Sequence, residues 1–272
     1  MAPHIGLITD FGLRGSHYVA SMKGVIATIN PNINIIDVSH SVKHFSIIEA
    51  AYLLKSTYRY FPEETVFVGV IDPGVGSERE IVALETKEGY RFVGPDNGLF
   101  SGALNSRIST CYIVKNDEYF HKPVSNTFHG RDIMAPVGAH IASGISLNHL
   151  GPSIDPTLLK KIPMTYEINQ PEKEIECSIQ YVDDFGNLTT NIPLLNHHVP
   201  NSEIIVDENK KLSLLVENET FKGQFVTHFA TVPKNNLLFI KGSTGFLEIS
   251  INQGHASNFL GITSGDVITI KF

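Results

Sequence analysis

Residues 66–79 read VFVGVIDPGVGSER, and the fold follows from how that stretch divides. Val66–Ile71 is a run of six mostly β-branched or aromatic residues, which reads as a strand buried on both faces. It runs straight into an acid, a proline, two glycines and, further on, Arg79. Ligands of open α/β sheets bind beyond the carboxyl ends of the strands, so Asp72 is delivered to where chemistry is usually done. Gly74 and Gly76 permit a tight turn or a close backbone approach, and Arg79 is near enough in sequence to fold back toward Asp72. Taken alone, the stretch reads equally well as an ordinary strand-to-loop turn with a surface ion pair.

Upstream, Ile5–Thr9 is a second short strand that hands an acid, Asp10, to its carboxyl end. Ser16 opens a helix with Val19, Met22, Val25, Ile26 and Ile29 at helical spacing, and Pro31 stops it. Ile33–Val38 is the next strand. Ser46 to Glu49 has the capping-box pattern for a helix through about Arg59, which ends before Pro62. Strand, helix, strand, helix, strand predicts a right-handed parallel sheet with helices on its faces. Downstream, Ile81–Glu85 and Arg91–Val93 flank Lys87-Glu88-Gly89 as a hairpin. Pro95 to Gly98 is a turn cluster, and Cys111–Val114 is a further strand. His129 falls at or just before the start of a helix through Ala142, where partial positive charge favours neutral imidazole.

Between Gly151 and Lys173 four prolines and lost periodicity predict a linker, set at 159–172, between domains at 1–158 and 173–272. Beyond it the pattern is mostly β: Glu174–Val182, Ser202–Val206, Leu212–Val216, Leu237–Ile240, Gly245–Ile251 and Asp266–Phe272, with one short helix near Ala256–Leu260. Strands of this size and spacing predict a small barrel or sandwich.

With 272 residues the chain can bury a substantial core. A formal charge of -7 argues against a surface that tracks nucleic-acid phosphates. Its two cysteines, Cys111 and Cys177, fit neither a disulfide framework nor a thiolate metal site, and read as buried thiols in strands. No apolar run approaches a membrane span and no secretory leader pattern opens the sequence, so a soluble, cytoplasmic protein is expected. DFG occurs at Asp10–Gly12 and Asp184–Gly186, yet a kinase reading fails without a glycine-rich G-x-G-x-x-G loop, a V-A-I-K lysine or an H-R-D loop. The missing G-x-G-x-x-G also weakens a dinucleotide site. Among twelve histidines there is no chelating pair of the H-E-x-x-H kind, so no metal site is expected.

The ordered set TDFG, Ser39-His40, FPEETVF, DPGVGSER, PDNGLF, TFHGRD, DDFGNLTTNI and GSTGFLEISINQG spans nearly the whole chain. It resembles the S-adenosyl-L-methionine hydroxide adenosyltransferase family, relatives of fluorinase and chlorinase. The resemblance implies a Rossmann-like N-terminal α/β domain with a mainly parallel sheet and a smaller C-terminal β-barrel. It further implies a homotrimer, with S-adenosylmethionine held between neighbouring subunits and no cofactor. The implied reaction is attack of water-derived hydroxide on the ribose 5′ carbon, releasing adenosine and L-methionine.

By motif position, the resemblance makes Asp72, Arg79 and His129 catalytic. It makes Asp10 the ribose-diol carboxylate and Phe45 an aromatic cover over ribose or sulfonium. Asp183 and Ser243 match residues that grip the methionine amine and carboxylate, Asn187 the adenine reader, and Phe229 a base-stacking ring. Glu248 and the backbone near Ile251 fall in the segment lining that pocket. Fluorinase-like enzymes carry an uncharged residue in place of Asp72 and a serine in place of Gly130, which favours water over halide here. Thr244 stands where fluorinase has an arginine. Competing expectations are a chlorinase-like, halide-using transferase and a non-catalytic adenosine-binding module.

Overall fold

β3 (Val66–Val70) is buried at every position and pairs in parallel with β1 (His4–Thr9) on one side and β5 (Arg91–Pro95) on the other. With β2 (Asn34–Ser39), β4 (Ile81–Thr86) and β6 (Ile108–Ile113) they form a six-stranded sheet ordered β2-β1-β3-β5-β4-β6. Only β4 runs antiparallel to its neighbours, because the β4–β5 connection is a hairpin. This is the mainly parallel α/β sheet expected from the strand–helix alternation. The computed structural model describes residues 2–216 and 219–272, in two units, Met1–Ile162 and Pro163–Phe272.

The period-2 alternation of β3 fills both faces of the sheet. Val66, Val68 and Val70 join Met22 and Ile26 of α1 (Ser16–Ile29) and Val137 of α4 (Ala135–Ala142) in one cluster. Phe67, on the other face, stacks on Phe92 with ring centroids 5.1 Å apart, and the Tyr58 ring meets Phe92 edge-on. The α4 backbone can lie this close to β3 only because residue 138 is glycine. A Cβ there would stand 2.5 Å from Val68 Cγ2. On the opposite face lie α2 (Ile47–Thr57) and α3 (Leu99–Leu104).

The capping box at α2 is only half made. Ser46 Oγ accepts from Glu49 N–H at 3.3 Å, but the buried Glu49 carboxylate accepts from Lys43 N–H at 2.9 Å instead of reaching back to Ser46. Glu49 therefore anchors the loop before the helix.

In the second unit, β8 (Glu174–Val182), β9 (Leu188–Pro193), β10 (Lys211–Val216), β11 (Glu219–Val226), β12 (Leu237–Lys241), β13 (Phe246–Ile251) and β14 (Val267–Lys271) form a ring. It closes because β14 pairs with both β10 and β8. The interior is filled by inward-facing apolar side chains, among them Ile175, Ile179, Leu214, Phe225, Phe239, Leu247 and Ile270. A barrel, of the two alternatives left open by strand spacing, is thus what forms. β7 (Glu167–Asn169) adds to the outside of β8, within the proline-rich stretch. Ser202–Val206 is not a strand. Asn196, His197 and Asn201 take positive φ, and Val199, Ile204 and Val206 fill the core from a looped segment with isolated bridges. The short helix α5 (Ala256–Leu260) forms where expected. Both cysteines are free and buried in β6 and β8, and burial pushes the Cys111 thiol up to about 12. No helix among the described residues is long and apolar enough to cross a membrane.

Candidate active site

Asp10 and Asp72 leave the same edge of the sheet. Their strands are neighbours in parallel register, Thr9 opposite Val70, so both acids emerge at adjacent carboxyl ends. The Ile71 carbonyl, one residue before Asp72, is held by Asn97 Nδ2 at 2.8 Å, which gives the PDNG turn a supporting role. Beyond Asp72 the loop folds on itself through Val75 N–H to Asp72 O (3.2 Å) and Ser77 N–H to Gly74 O (3.0 Å). It also presses against the segment that carries His129. Gly76, at φ +78°, would carry a Cβ 2.5 Å from the Asn126 carbonyl oxygen, so no larger residue allows this approach.

Arg79 then folds back, as its sequence position suggested. Its Nε lies 2.9 and 3.0 Å from the two Asp72 oxygens, and its Nη2 lies 2.5 Å from Oδ2. The pair is not a surface ion pair: the side chains are 6% (Asp72) and 7% (Arg79) exposed. Such burial is tolerated when geometry is bidentate and each charge is neutralised. Arg79 Nη2 also lies 2.9 Å from His129 Nδ1. A guanidinium has only donors, so Nδ1 is the acceptor and the neutral ring carries its proton on Nε2. The imidazole pKa is lowered, first by burial and then by the Arg79 charge, with Asp72 and Asp132 opposing. The neutral ring expected from the sequence is thus favoured, although burial and the arginine are its causes.

His129 precedes a π-helical turn, Gly130–Met134, that leads into α4. The loop ahead of it is fixed by Asp132, a fully buried carboxylate that accepts Ser125 N–H at 2.8 Å and pairs with Arg131 Nε at 2.6 Å.

Asp72, His129, Asp10 and Phe45 line one cavity of about 260 Å³. Asp10, 8% exposed, accepts the Phe45 N–H at 2.8 Å through Oδ2. Phe45 is held at φ +66° with its ring at the surface, a conformation costly for an aromatic residue and characteristic of ligand clamps. Three more rings line the same space: Phe11, Tyr18 and Phe128, with centroids 5.1 to 5.9 Å apart. The sequence reading missed these as site residues, although Phe11 and Phe128 lie inside the DFG and TFHGRD motifs it singled out. Such a space suits a cation beside aromatic faces with two carboxylates at one wall.

The other expected site residues belong to the second unit. Asp183 and Asn187 are the ends of the β8–β9 connection. Asp183 accepts the Asn187 backbone N–H through Oδ1 and its Nδ2 through Oδ2, both at 2.8 Å. Glu248 projects from the outer face of β13 opposite Thr189 of β9. Its carboxyl pKa is raised by burial and by the Asp183 charge. Ser243 is exposed in the Gly242–Gly245 turn, where Gly245 N–H meets Gly242 O at 3.0 Å. Phe229 is 40% exposed on a short 3₁₀ turn. Ile251 points into the barrel core, 6% exposed, leaving only its backbone to meet a ligand. Among the described residues no group of three or more His, Cys, Asp or Glu could hold a metal ion.

Comparison with known proteins accounts for both units. The family model for the SAM hydroxide adenosyltransferase N-terminal domain matches residues 5–151, and that for the C-terminal domain matches residues 177–269. A protein of Methanocaldococcus jannaschii named (R)-S-adenosyl-L-methionine hydrolase is 37% identical, over 98% of this chain and 95% of the relative. A protein of the same name from Salinispora tropica is 34% identical, over 98% and 97%. The crystal structure of an uncharacterized conserved protein from Thermotoga maritima superposes with a TM-score of 0.88 at 35% identity, covering 98% of this chain and all of that one. The chain belongs to the SAM hydroxide adenosyltransferase family.

Proposed function

We propose that this protein hydrolyses S-adenosyl-L-methionine to adenosine and L-methionine. The observation that carries the reading is the hydrogen-bonded Asp72–Arg79–His129 constellation, two members of which line a cavity shared with a second carboxylate, Asp10. The curated relatives are named for the R epimer at sulfur, and the reading extends to that epimer.

A sulfonium leaves readily, so the demand is on the nucleophile. Water attacks the ribose 5′ carbon, the new C–O bond forms as the C–S bond breaks, and its electron pair neutralises sulfur. The water proton passes to Asp72, whose carboxylate is the acceptor in the constellation. His129 offers Nε2–H, and Arg79 is a fixed cation, so these two stabilise the developing hydroxide. Asp10 receives the ribose diol and Phe45 covers the ribose or sulfonium. Asp183, Ser243 and Glu248 hold the amino-acid end, Asn187 reads adenine, and Phe229 and the Ile251 backbone complete the base pocket. The reading uses neither metal nor cofactor, and includes a homotrimeric, cytoplasmic protein.

The test is incubation with an epimeric substrate mixture in chloride-free, ¹⁸O-enriched water. The expected products are methionine and adenosine carrying one heavy oxygen at the 5′ hydroxyl, with the R epimer consumed first. Loss of adenosine formation in Asp72→Ala and His129→Ala is expected. Adenosine formation indifferent to both substitutions, or none at all, refutes the assignment, and 5′-chloro-5′-deoxyadenosine on adding chloride favours the halide-using alternative. Light scattering on the eluted protein should give three chain masses.

A further inference from the structure

The β8–β9 connection is tied more tightly than a hairpin loop requires. Asp183 N–H donates to Asn187 O at 3.2 Å and Gly186 N–H donates to Asp183 O at 2.9 Å. The Asp183 carboxylate then takes both the backbone and the side-chain N–H of Asn187 at 2.8 Å. From outside, the Gly186 carbonyl accepts Ser257 N–H at 3.0 Å, and the His255 ring packs where any side chain at residue 186 would have to go.

An asparagine amide can turn end for end, exchanging an acceptor for two donors, unless a neighbour chooses between them. Here the neighbour is a carboxylate, which only accepts. We propose that Asp183 is a positioning residue that locks the Asn187 amide, and so selects a 6-amino purine over a 6-oxo purine. The proposal rests on the reading of Asn187 as the base-contacting residue. With Nδ2 turned toward Asp183, Oδ1 and the second Nδ2 hydrogen form an acceptor beside a donor. A 6-amino purine presents the complement, an exocyclic N–H beside a ring nitrogen. A 6-oxo purine would set its oxygen against Oδ1. The amide cannot turn to accommodate it, because the turned Oδ1 would face the Asp183 carboxylate.

The role differs from holding an amino-acid ammonium, and nucleosides separate the two because they carry none. Calorimetry on the full chain with adenosine and inosine should give wild-type protein a preference for adenosine of about 100-fold, as expected when the wrong base leaves the polar groups of the site unpaired. In Asp183→Asn, whose amide both donates and accepts, the preference should fall to within about fivefold. Weakening of both nucleosides alike, with the ratio kept, would mean that Asp183 is merely structural and would overturn the proposal. So would a ratio and affinities that do not change. Wild-type protein that binds neither nucleoside sinks the base-contacting reading itself, and the proposal with it. Should Asp183→Asn not fold, the wild-type side-chain amide signals decide. The resonance pair lost in Asn187→Asp should show one proton shifted downfield by its carboxylate partner, and two equivalent, solvent-like protons would overturn the lock.

Discussion

Arg79 donates through Nη2 to His129 Nδ1 at 2.9 Å while the same nitrogen holds Asp72 Oδ2. One guanidinium thus anchors the carboxylate that takes the water proton and sets the tautomer of the imidazole beside it. Protonating His129 at Nδ1 would break that contact. Because its folded pKa lies below the ordinary value near 6.5, the unfolded chain binds this proton first as pH falls. The ring's contribution to stability is constant above about pH 6.5 and is lost as pH falls from there through the lowered folded value. The logarithm of kcat/KM follows the folded protein's own titration, so it should decline at lower pH, through and below that lowered value. His129→Asn should lower the plateau and flatten that limb, read from full pH profiles of both proteins.

Replacing Asp72 with Asn leaves a 7% exposed guanidinium without its counter-charge. Breaking a buried pair on one side costs about 3 kcal/mol or more, so the melting temperature should drop by roughly 6 °C or more. The single-turnover rate should fall by about 10²- to 10⁴-fold with loss of the proton acceptor. Calorimetry and rapid quench on one preparation check both.

Phe45→Gly should separate binding from stability. Glycine relieves the positive-φ cost, so stability should stay level or rise by about 1 kcal/mol. Losing the aromatic face should raise KM for the sulfonium substrate about tenfold, with kcat changed less. Steady-state kinetics and thermal melts measure the two.

Gly138→Ala and Gly24→Ala should act in opposite directions. A methyl at 138 meets Val68, and overpacking should cost about 1–3 kcal/mol. A methyl at 24, within α1, meets nothing within 4 Å and should add about 0.5–1 kcal/mol by helix propensity. Paired denaturant melts are the check.

The parallel sheet was legible because β1, β3 and their helices announce themselves by periodicity and by acids at strand ends. β9 and β11 were not. Leu188–Pro193 sits inside a stretch read for its turn and its motif, and Glu219–Val226 mixes Lys222, Gly223 and Gln224 with its apolar residues. Gly223 is needed because Phe239 of the adjacent strand crowds it, a tertiary fact with no local trace. Ser202–Val206 failed in the other direction: its apolar residues plug a barrel from a loop, which composition cannot tell from a strand. The motifs located Asp72, Arg79 and His129, and the Asp72–Arg79 proximity was anticipated. The contact with His129, fifty residues away, and the rings of Phe11, Tyr18 and Phe128 depend on which loops meet at the sheet edge.

The closure of the barrel by β14 sets an order of events during synthesis. Its partners β8 and β10 are translated long before Val267–Lys271, and each keeps an unpaired edge until that last strand leaves the ribosome. Those edges are templates for wrong strand pairing, so this unit is most exposed to mispairing in the interval before β14 is in place.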